Sequence, residues 1–318
     1  MHNLVADIGG TNSRFAMCKA GEVELIEPRK YPNCEFSSLG EVIEHYIKEV
    51  SIEPINACLA VAGPAHKDDV QLTNIAWRFS VTHYKQHFHL DRLVLTNDFT
   101  ALAMSVPHLS AQNVKQVGGE QSALAHMPIS VLGPGTGLGV SGLLWNGSGW
   151  TPLQGEGGNA DFCAVTDEEI ELYRMAKKER GHVRTEDFVS GTGLTLLHDL
   201  RLEMQGKPRE GLKAEEIAWQ AKMGAGQCRD TIFAFCGMLG SFAGNHALTL
   251  GSFGGVYIGG GVAPQLEELF DISPFRARFE AKGRFKEYIS GIPTYIMLSH
   301  SRNALIGAAA LLGGHSAS

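Results

Sequence analysis

Two segments of this chain repeat one pattern: an apolar strand, a glycine-rich turn carrying threonine, and a second strand. The first runs Leu4-Val5-Ala6-Asp7-Ile8, then Gly9-Gly10-Thr11-Asn12, then Ser13-Arg14-Phe15-Ala16-Met17. The second runs Ile129-Ser130-Val131-Leu132, then Gly133-Pro134-Gly135-Thr136-Gly137-Leu138-Gly139, then Val140 to Trp145, closed by Gly147-Ser148-Gly149. Nearly unbroken apolar strands of this kind are buried on both faces of a sheet. The second half of the chain therefore begins like the first. At 318 residues, about twice the usual length of one domain, two bodies are expected.

The pattern between and after these segments is that of an α/β protein. Glu22-Val23-Glu24-Leu25-Ile26 alternates as a half-buried strand does, which predicts a three-stranded antiparallel meander at the N-terminus. Leu39, Val42, Ile43, Tyr46, Ile47 and Val50 recur at helical spacing, and Ser38 with Glu41 fits a capping box. Ala57 to Ala62, closed by Gly63-Pro64, and Arg92 to Thr96 read as core strands of one sheet. A polar stretch covers Ser110 to Gln121. Thr166-Asp167-Glu168-Glu169 is a second capping box, with Ile170, Tyr173 and Ala176 turned inward and Gly181 just past the helix end. A long helix is predicted from Gln227 to Leu250, where Gly237, Gly240 and Gly244 cost propensity and point to close packing. Gly254 to Ile258 is a late strand ending in Gly259-Gly260-Gly261. The tail from Ala304 to Leu312 is apolar or glycine throughout, as a helix buried between two bodies would be.

Composition excludes several classes of function. Lys and Arg number 27 against 34 Asp and Glu, a net charge of −7, so the bulk field repels nucleic acid and anionic membrane. No apolar stretch is long enough to span a bilayer. The six cysteines are scattered without a C-x-x-C pair, which argues against structural zinc. The N-terminus lacks the basic and apolar regions of a signal peptide, so a cytoplasmic location with reduced thiols is expected.

The two turns carry the chemical information. Missing side chains let backbone N–H groups converge on phosphate oxygens, and a threonine hydroxyl adds a donor. Either turn alone reads equally as a tight hairpin turn, but the pair together favours phosphate binding. Only the first has an acidic residue, Asp7, suited to a hydrated Mg²⁺ at nucleotide phosphates, although a strand-end carboxylate is the plain alternative. No Gly-x-x-x-x-Gly-Lys-Ser/Thr occurs, which excludes a P-loop, and there is no Gly-x-Ser-x-Gly elbow. Gly137, Gly139 and Gly142 form a Gly-x-Gly-x-x-Gly, but a strand rather than a helix follows it. Phosphoryl transfer is the chemistry these features favour. Asp98, just past a core strand, is placed to accept the proton of an attacking hydroxyl, with helix-capping acid as the other reading. Asn97 is placed to orient the same substrate.

Taken in order, Asp7 to Asn12, Thr96-Asn97-Asp98, Gly133 to Gly137, Gly254 to Gly261 and a small-residue C-terminal helix resemble the sugar kinase, actin and chaperone ATPase superfamily. Leu153-Gln154-Gly155-Glu156-Gly157-Gly158, Glu186 ahead of Ser190-Gly191-Thr192-Gly193-Leu194, and Lys282-Gly283-Arg284-Phe285-Lys286-Glu287-Tyr288 narrow the resemblance to the bacterial glucokinase family. The resemblance covers essentially the whole chain. It implies an α/β fold of two ribonuclease-H-like, actin-like ATPase domains with a cleft between them, 1–108 plus 301–318 forming the small one and 109–300 the large one. It implies transfer of the γ-phosphoryl of ATP to the 6-hydroxyl of glucose, with Asp98 as general base. Asn97, Glu156, Asn159 and Glu186 would then bind the sugar hydroxyls, and Asp7 would hold Mg²⁺ through water. Gly9, Gly10, Thr11, Asn12, Gly135, Thr136 and Gly137 would contact ATP, and the active species would be a homodimer. One position departs from the family: after Glu-Gly-Gly the usual residue is His, and here it is Asn159, which hydrogen-bonds but does not titrate.

Two other classes stay open at this stage. An ATP-driven binding or assembly protein on the same fold would keep both phosphate turns and need no sugar carboxylates. A nicotinamide oxidoreductase would rest on Gly137, Gly139 and Gly142 and would need a helix after them.

Overall fold

The computed structural model describes residues 1–63, 68–72, 75–298 and 300–313. The chain runs β1 (His2–Ile8), β2 (Asn12–Lys19), β3 (Ile26–Pro32), α1 (Leu39–Val50), β4 (Pro54–Val61), β5 (Asp69–Gln71), β6 (Arg78–Ser80), α2 (Val81–His87), β7 (Arg92–Asn97) and α3 (Asp98–Ser105). It continues through β8 (Val114–Gly118), β9 (Ile129–Pro134), β10 (Leu138–Trp145), β11 (Trp150–Gln154), α4 (Asp167–Arg180), α5 (Gly191–Met204), α6 (Ala214–Lys222) and α7 (Gly226–Leu250). Then follow β12 (Val256–Ile258), α8 (Glu267–Phe270), α9 (Phe275–Glu280), α10 (Lys286–Ser290), β13 (Thr294–Met297) and α11 (His300–Gly313). Two compact units result: Met1–Ser110 with Asn146–Gln154 and Ser299–Ser318, and Ala111–Trp145 with Gly155–Leu298. Among the described residues no helix is long and apolar enough to cross a membrane.

The first unit is built on a sheet ordered β3-β2-β1-β4-β7. β1, β2 and β3 form the antiparallel meander, while β4 and β7 add in parallel. Because side chains alternate across a strand, the sheet buries both faces. Leu4, Ala6, Ile8, Phe15 and Met17 pack with Leu39, Ile43 and Tyr46 of α1. Val5, Ala16, Cys18 and Cys58 pack with Leu305, Ala308, Ala309 and Leu312 of α11. Helix α11 also lies on α3, so closely that a Cβ at Gly307 would sit 1.6 Å from the carbonyl oxygen of Ala101. Glycine is required there by contact.

Two expectations are corrected in this unit, and a third lies outside the described residues. Glu22 to Leu25 is not a strand, since β3 begins only at Ile26. Its alternation is real, because Val23 and Leu25 pack on the α11 cluster, but one-sided burial does not itself create a ladder partner. At α1, Ser38 caps the Glu41 N–H as expected, whereas the Glu41 carboxylate accepts from the N–H and hydroxyl of Ser37 instead of closing the box. Pro64, expected with Gly63 to close β4, lies outside the described residues.

In the second unit the strands follow the order β10-β9-β12-β13-β8. β12 is parallel to β9 and β13, with β8 antiparallel at the edge. β8 falls inside the stretch read as polar. Its half-buried residues place it at a sheet edge, where apolar patterning is weak. The long helix α7 is where it was expected, and its glycines do pack closely: a Cβ at Gly240 would lie 2.2 Å from the carbonyl oxygen of Phe275 in α9. Helix α4 carries the full capping box of Thr166 and Glu169. Of its expected inward residues Ala176 is buried and Tyr173 packs on the core, whereas Ile170 is exposed and Glu169 and Leu172 are buried beside them. The cause is Arg278, whose ion pair with Glu169 at 2.8 Å makes a charged residue the inner one. Cys18, Cys58, Cys228 and Cys236 are buried free thiols, and Cys34 and Cys163 are exposed free thiols.

Candidate active site

The parallel register of the first sheet brings two of the predicted site segments to one edge. Ile8 pairs with Val61 and Val61 with Asn97, so β1, β4 and β7 end level. The Gly9-Gly10-Thr11 turn leaves β1 at that edge, and Asp98 follows β7 there. Strand C-terminal ends are where open α/β sheets gather ligand-binding groups. Asp7, one residue short of the end, is buried and pairs with Arg14 at 3.2 Å. Burial pushes its carboxyl above the ordinary carboxylate range, against the opposing pull of Arg14.

The turn itself is held from outside. The Gly9 N–H donates to the Asn12 carbonyl at 3.1 Å. Asn33 donates from Nδ2 to the Gly9 carbonyl at 2.7 Å, and its backbone N–H donates to the Thr11 carbonyl at 2.8 Å. Ser13 then donates to Asn33 Oδ1 at 2.7 Å. Buried Asn33 thus takes up carbonyls of the turn, so that N–H groups are what the turn has left to offer a ligand. Sequence reasoning missed Asn33 because its partners lie twenty or more residues away.

Asn97 and Asp98 occupy a helix start. Asn97 is the N-cap of α3, its Oδ1 accepting from Phe99 N–H at 2.9 Å and Thr100 N–H at 3.3 Å. Its Nδ2 donates to the Gly63 carbonyl at 3.4 Å. The acceptor atom of Asn97 is therefore committed, and only amide N–H capacity remains for a substrate. Asp98 is the first helical residue, with Oδ1 accepting from Phe99 N–H at 2.9 Å, and it is half-buried.

The second unit brings together Gly135 to Gly137, Glu156, Asn159 and Glu186. The Gly135 N–H donates to the Gly137 carbonyl at 2.8 Å, which closes the turn between β9 and β10. Gly191 N–H donates to the Gly135 carbonyl at 2.7 Å, and Thr192 Oγ1 donates to that of Thr136 at 3.1 Å. A cavity of about 380 Å³ opens beside the turn, bounded by Thr136, Thr192, Thr195, Lys213, Val262 and Gln265 among others. The strand context after Gly137 is settled: β10 starts at Leu138, so no dinucleotide-binding helix follows.

Glu156 stands just before the short turn Gly157–Asn159 and is exposed. That turn lies hard against β10, for a Cβ at Gly158 would come within 2.0 Å of the Leu138 carbonyl oxygen. Glu186 reaches the same strand, with Oε2 accepting from the Leu138 N–H at 3.3 Å. Arg184 joins the group, Nη1 standing 3.0 Å from Asn159 Oδ1 and 2.6 Å from Glu186 Oε1. Asn159 is thus tied to Glu186 by a residue that pattern reading passed over. The only hint in sequence was a lone cation in Arg184-Thr185-Glu186-Asp187.

With this geometry in place, the comparisons with known proteins can be read. A family model described as Glucokinase matches residues 4–315. The chain belongs to the glucokinase family. A curated glucokinase of Neisseria meningitidis is 44% identical over 315 residues, covering 98% of this chain and 95% of that protein. Among solved structures, a glucokinase from an Antarctic psychrotroph superposes with a TM-score of 0.89 at 36% identity, covering 99% of each chain. A glucokinase from Balamuthia mandrillaris in complex with glucose, 22% identical, shares the fold with a TM-score of 0.82 over 98% of this chain and 94% of that one. The fold is the two-domain actin-like ATPase fold of sugar kinases. The chain is a hexose kinase that phosphorylates glucose with ATP, and the reading as an assembly ATPase is not favoured.

Proposed function

We propose that the phosphoryl group goes to the 6-hydroxyl of glucose, with Asp98 as general base. The supporting observation is the level ending of β1 and β7, which sets the half-buried Asp98 carboxylate on the same sheet edge as the phosphate turn. Asp98 takes the hydroxyl proton as the sugar oxygen forms its bond to the γ-phosphorus; the bond from that phosphorus to the bridging oxygen breaks, and ADP leaves. Asn97, through its remaining amide hydrogen, and Glu156, Asn159 and Glu186 hold the other hydroxyls. Gly10, Thr11 and Asn12 with Thr136 and Gly137 receive the ATP phosphates through backbone N–H groups, and Gly9 and Gly135, whose own N–H groups close the turns, line the same phosphates without side chains. The nucleoside fits the cavity beside Thr136 and Thr192.

Mg²⁺ fits this donor set. The described residues hold no group of three His, Cys, Asp or Glu side chains close enough for a protein cage. Mg²⁺ needs none, since it keeps several waters and takes one or two carboxylates with substrate phosphates. Asp7, a buried carboxylate at the turn, would hold it through water. When bound, the ion neutralises charge on the phosphates. We further place the protein in the cytoplasm as a homodimer, on the strength of its family resemblance.

A coupled assay across a hexose panel with ATP, ADP and polyphosphate, followed by phosphorus NMR of the product, tests this reading. The expected result is glucose 6-phosphate from ATP. A product phosphorylated at another carbon, or turnover of 6-deoxyglucose, would overturn it.

A further inference from the structure

Arg184 is placed in a way that the reaction just described does not use. It precedes the short turn Thr185–Asp187, and Asp187 anchors it three times. The Arg184 backbone N–H donates to Asp187 Oδ2 at 2.8 Å, Nε to Oδ2 at 3.3 Å and Nη2 to Oδ1 at 3.0 Å. Asp187 is itself buried and takes a further bond from Arg180 Nη1 at 3.1 Å. Burial raises the Asp187 carboxyl, but the Arg184 hydrogen bonds and charges outweigh this and hold it below the ordinary range, so the anchor stays ionised. A planar guanidinium pinned at two of its three nitrogens has one direction left for the third.

That third nitrogen is Nη1, which donates to Asn159 Oδ1 at 3.0 Å and stands in an ion pair with Glu186 Oε1 at 2.6 Å. Each contact restricts what its partner can offer a ligand. An amide facing a guanidinium donor must present its oxygen, because the flipped amide would set N–H against N–H. Asn159 therefore turns its Nδ2 hydrogens outward. Glu186 Oε1 is paired by charge with Arg184, Oε2 accepts from Leu138 N–H, and as a carboxylate Glu186 offers a ligand only acceptor capacity.

We propose that Arg184 is a positioning residue that sets sugar specificity, holding Asn159 as a donor and Glu186 as an acceptor toward one sugar hydroxyl. This rests on the reading that Asn159 and Glu186 contact the sugar. A hydroxyl satisfies the pair in one direction, accepting from Asn159 and donating to Glu186. A deoxy carbon satisfies neither, and a fluorine cannot donate. Sites built to hydrogen-bond a hydroxyl reject analogues lacking it far more strongly than apolar pockets discriminate by size. The fixed amide makes this chain's asparagine a directional group.

The test measures kcat, sugar KM and ATP KM for the full-length chain and for Arg184→Met, Arg184→Lys, Asn159→Leu and Glu186→Gln, using glucose and its 1-, 2-, 3- and 4-deoxy analogues. In Arg184→Met, glucose KM is expected to rise about twofold to tenfold, the loss of one ordinary hydrogen bond, while kcat and ATP KM stay within about twofold. The preference for glucose over one deoxy analogue should collapse in parallel. Arg184→Lys, which keeps the charge without the fork, should fall between. Asn159→Leu leaves the Arg184 anchor on Asp187 intact and should lose preference over the same analogue, so the proposal stays testable if Arg184→Met folds poorly. An Arg184→Met or Asn159→Leu enzyme with normal glucose KM and normal deoxy discrimination, beside a Glu186→Gln enzyme with raised glucose KM, would overturn the role of Arg184 alone. Glu186→Gln with unchanged glucose KM would overturn the sugar-site reading as well.

Discussion

Arg14 Nη1 stands 3.2 Å from Asp7 Oδ2, an ion pair at the end of β1 in which the carboxylate is the more deeply buried partner. Desolvation prevails over the arginine, and the Asp7 carboxyl is raised above its ordinary value. A raised folded-state pKa contributes stability that is present below the unfolded pKa and lost as pH rises through the folded one. Ionised Asp7 thus weakens the ligand-free chain at alkaline pH, as binding sites often do. Asp7→Asn should raise the melting temperature at about pH 8, with the gain shrinking as pH falls and vanishing only below about pH 3, where both states hold the proton. The same variant should lose kinase activity. Thermal unfolding across that range checks the sign, and a variant less stable than the parent at alkaline pH would refute it.

Asp98 can be removed without unmaking its helix. Phe99 N–H already has Asn97 Oδ1 at 2.9 Å as well as Asp98 Oδ1 at 2.9 Å, so α3 keeps its cap in Asp98→Ala. The expected result is a kcat at least ~10²-fold lower, with nucleotide binding and circular dichroism unchanged. Near-normal turnover would leave Asp98 as a first-turn acid.

Asn97 caps α3 and is proposed to donate to the sugar, and two substitutions separate these roles. Asn97→Ala loses the acceptor for Phe99 and Thr100 and should cost about 1 kcal/mol of stability in denaturant titration. Asn97→Asp caps as well as the native residue, so stability should return. Neither variant can donate to a sugar, so glucose KM should be raised in both. A normal KM in Asn97→Asp would limit the residue to its cap.

Gly158 ties the Glu156 turn to β10. A Cβ there would stand 2.0 Å from the Leu138 carbonyl oxygen, a backbone atom that cannot swing away. Gly158→Ala should cost about 1–3 kcal/mol, as overpacking does, and should raise glucose KM more than ATP KM by displacing Glu156 and Asn159. Equal effects on both substrates would show that the turn does not serve the sugar.

What could be read along the chain was what is decided within a few residues. The α1 and α7 spans, the Thr166–Glu169 box and both glycine turns follow from side-chain period and caps, which depend on near neighbours. The strand end and helix start at Asn97 and Asp98 are legible for the same reason, because that passage is a local event. Tertiary structure alone decided the rest. Val23 and Leu25 alternate like a strand and pack on α11 without pairing, while Val114–Gly118 pairs with Thr294–Met297 far along the chain. Asn33 grips Gly9, and Arg184 aims one nitrogen at both Asn159 and Glu186. These partners are chosen when distant segments close and pack, and hydrogen-bond directions are settled only once both ends are in place. Local sequence names the groups a site has to work with, and packing determines which of their atoms remain to meet a substrate.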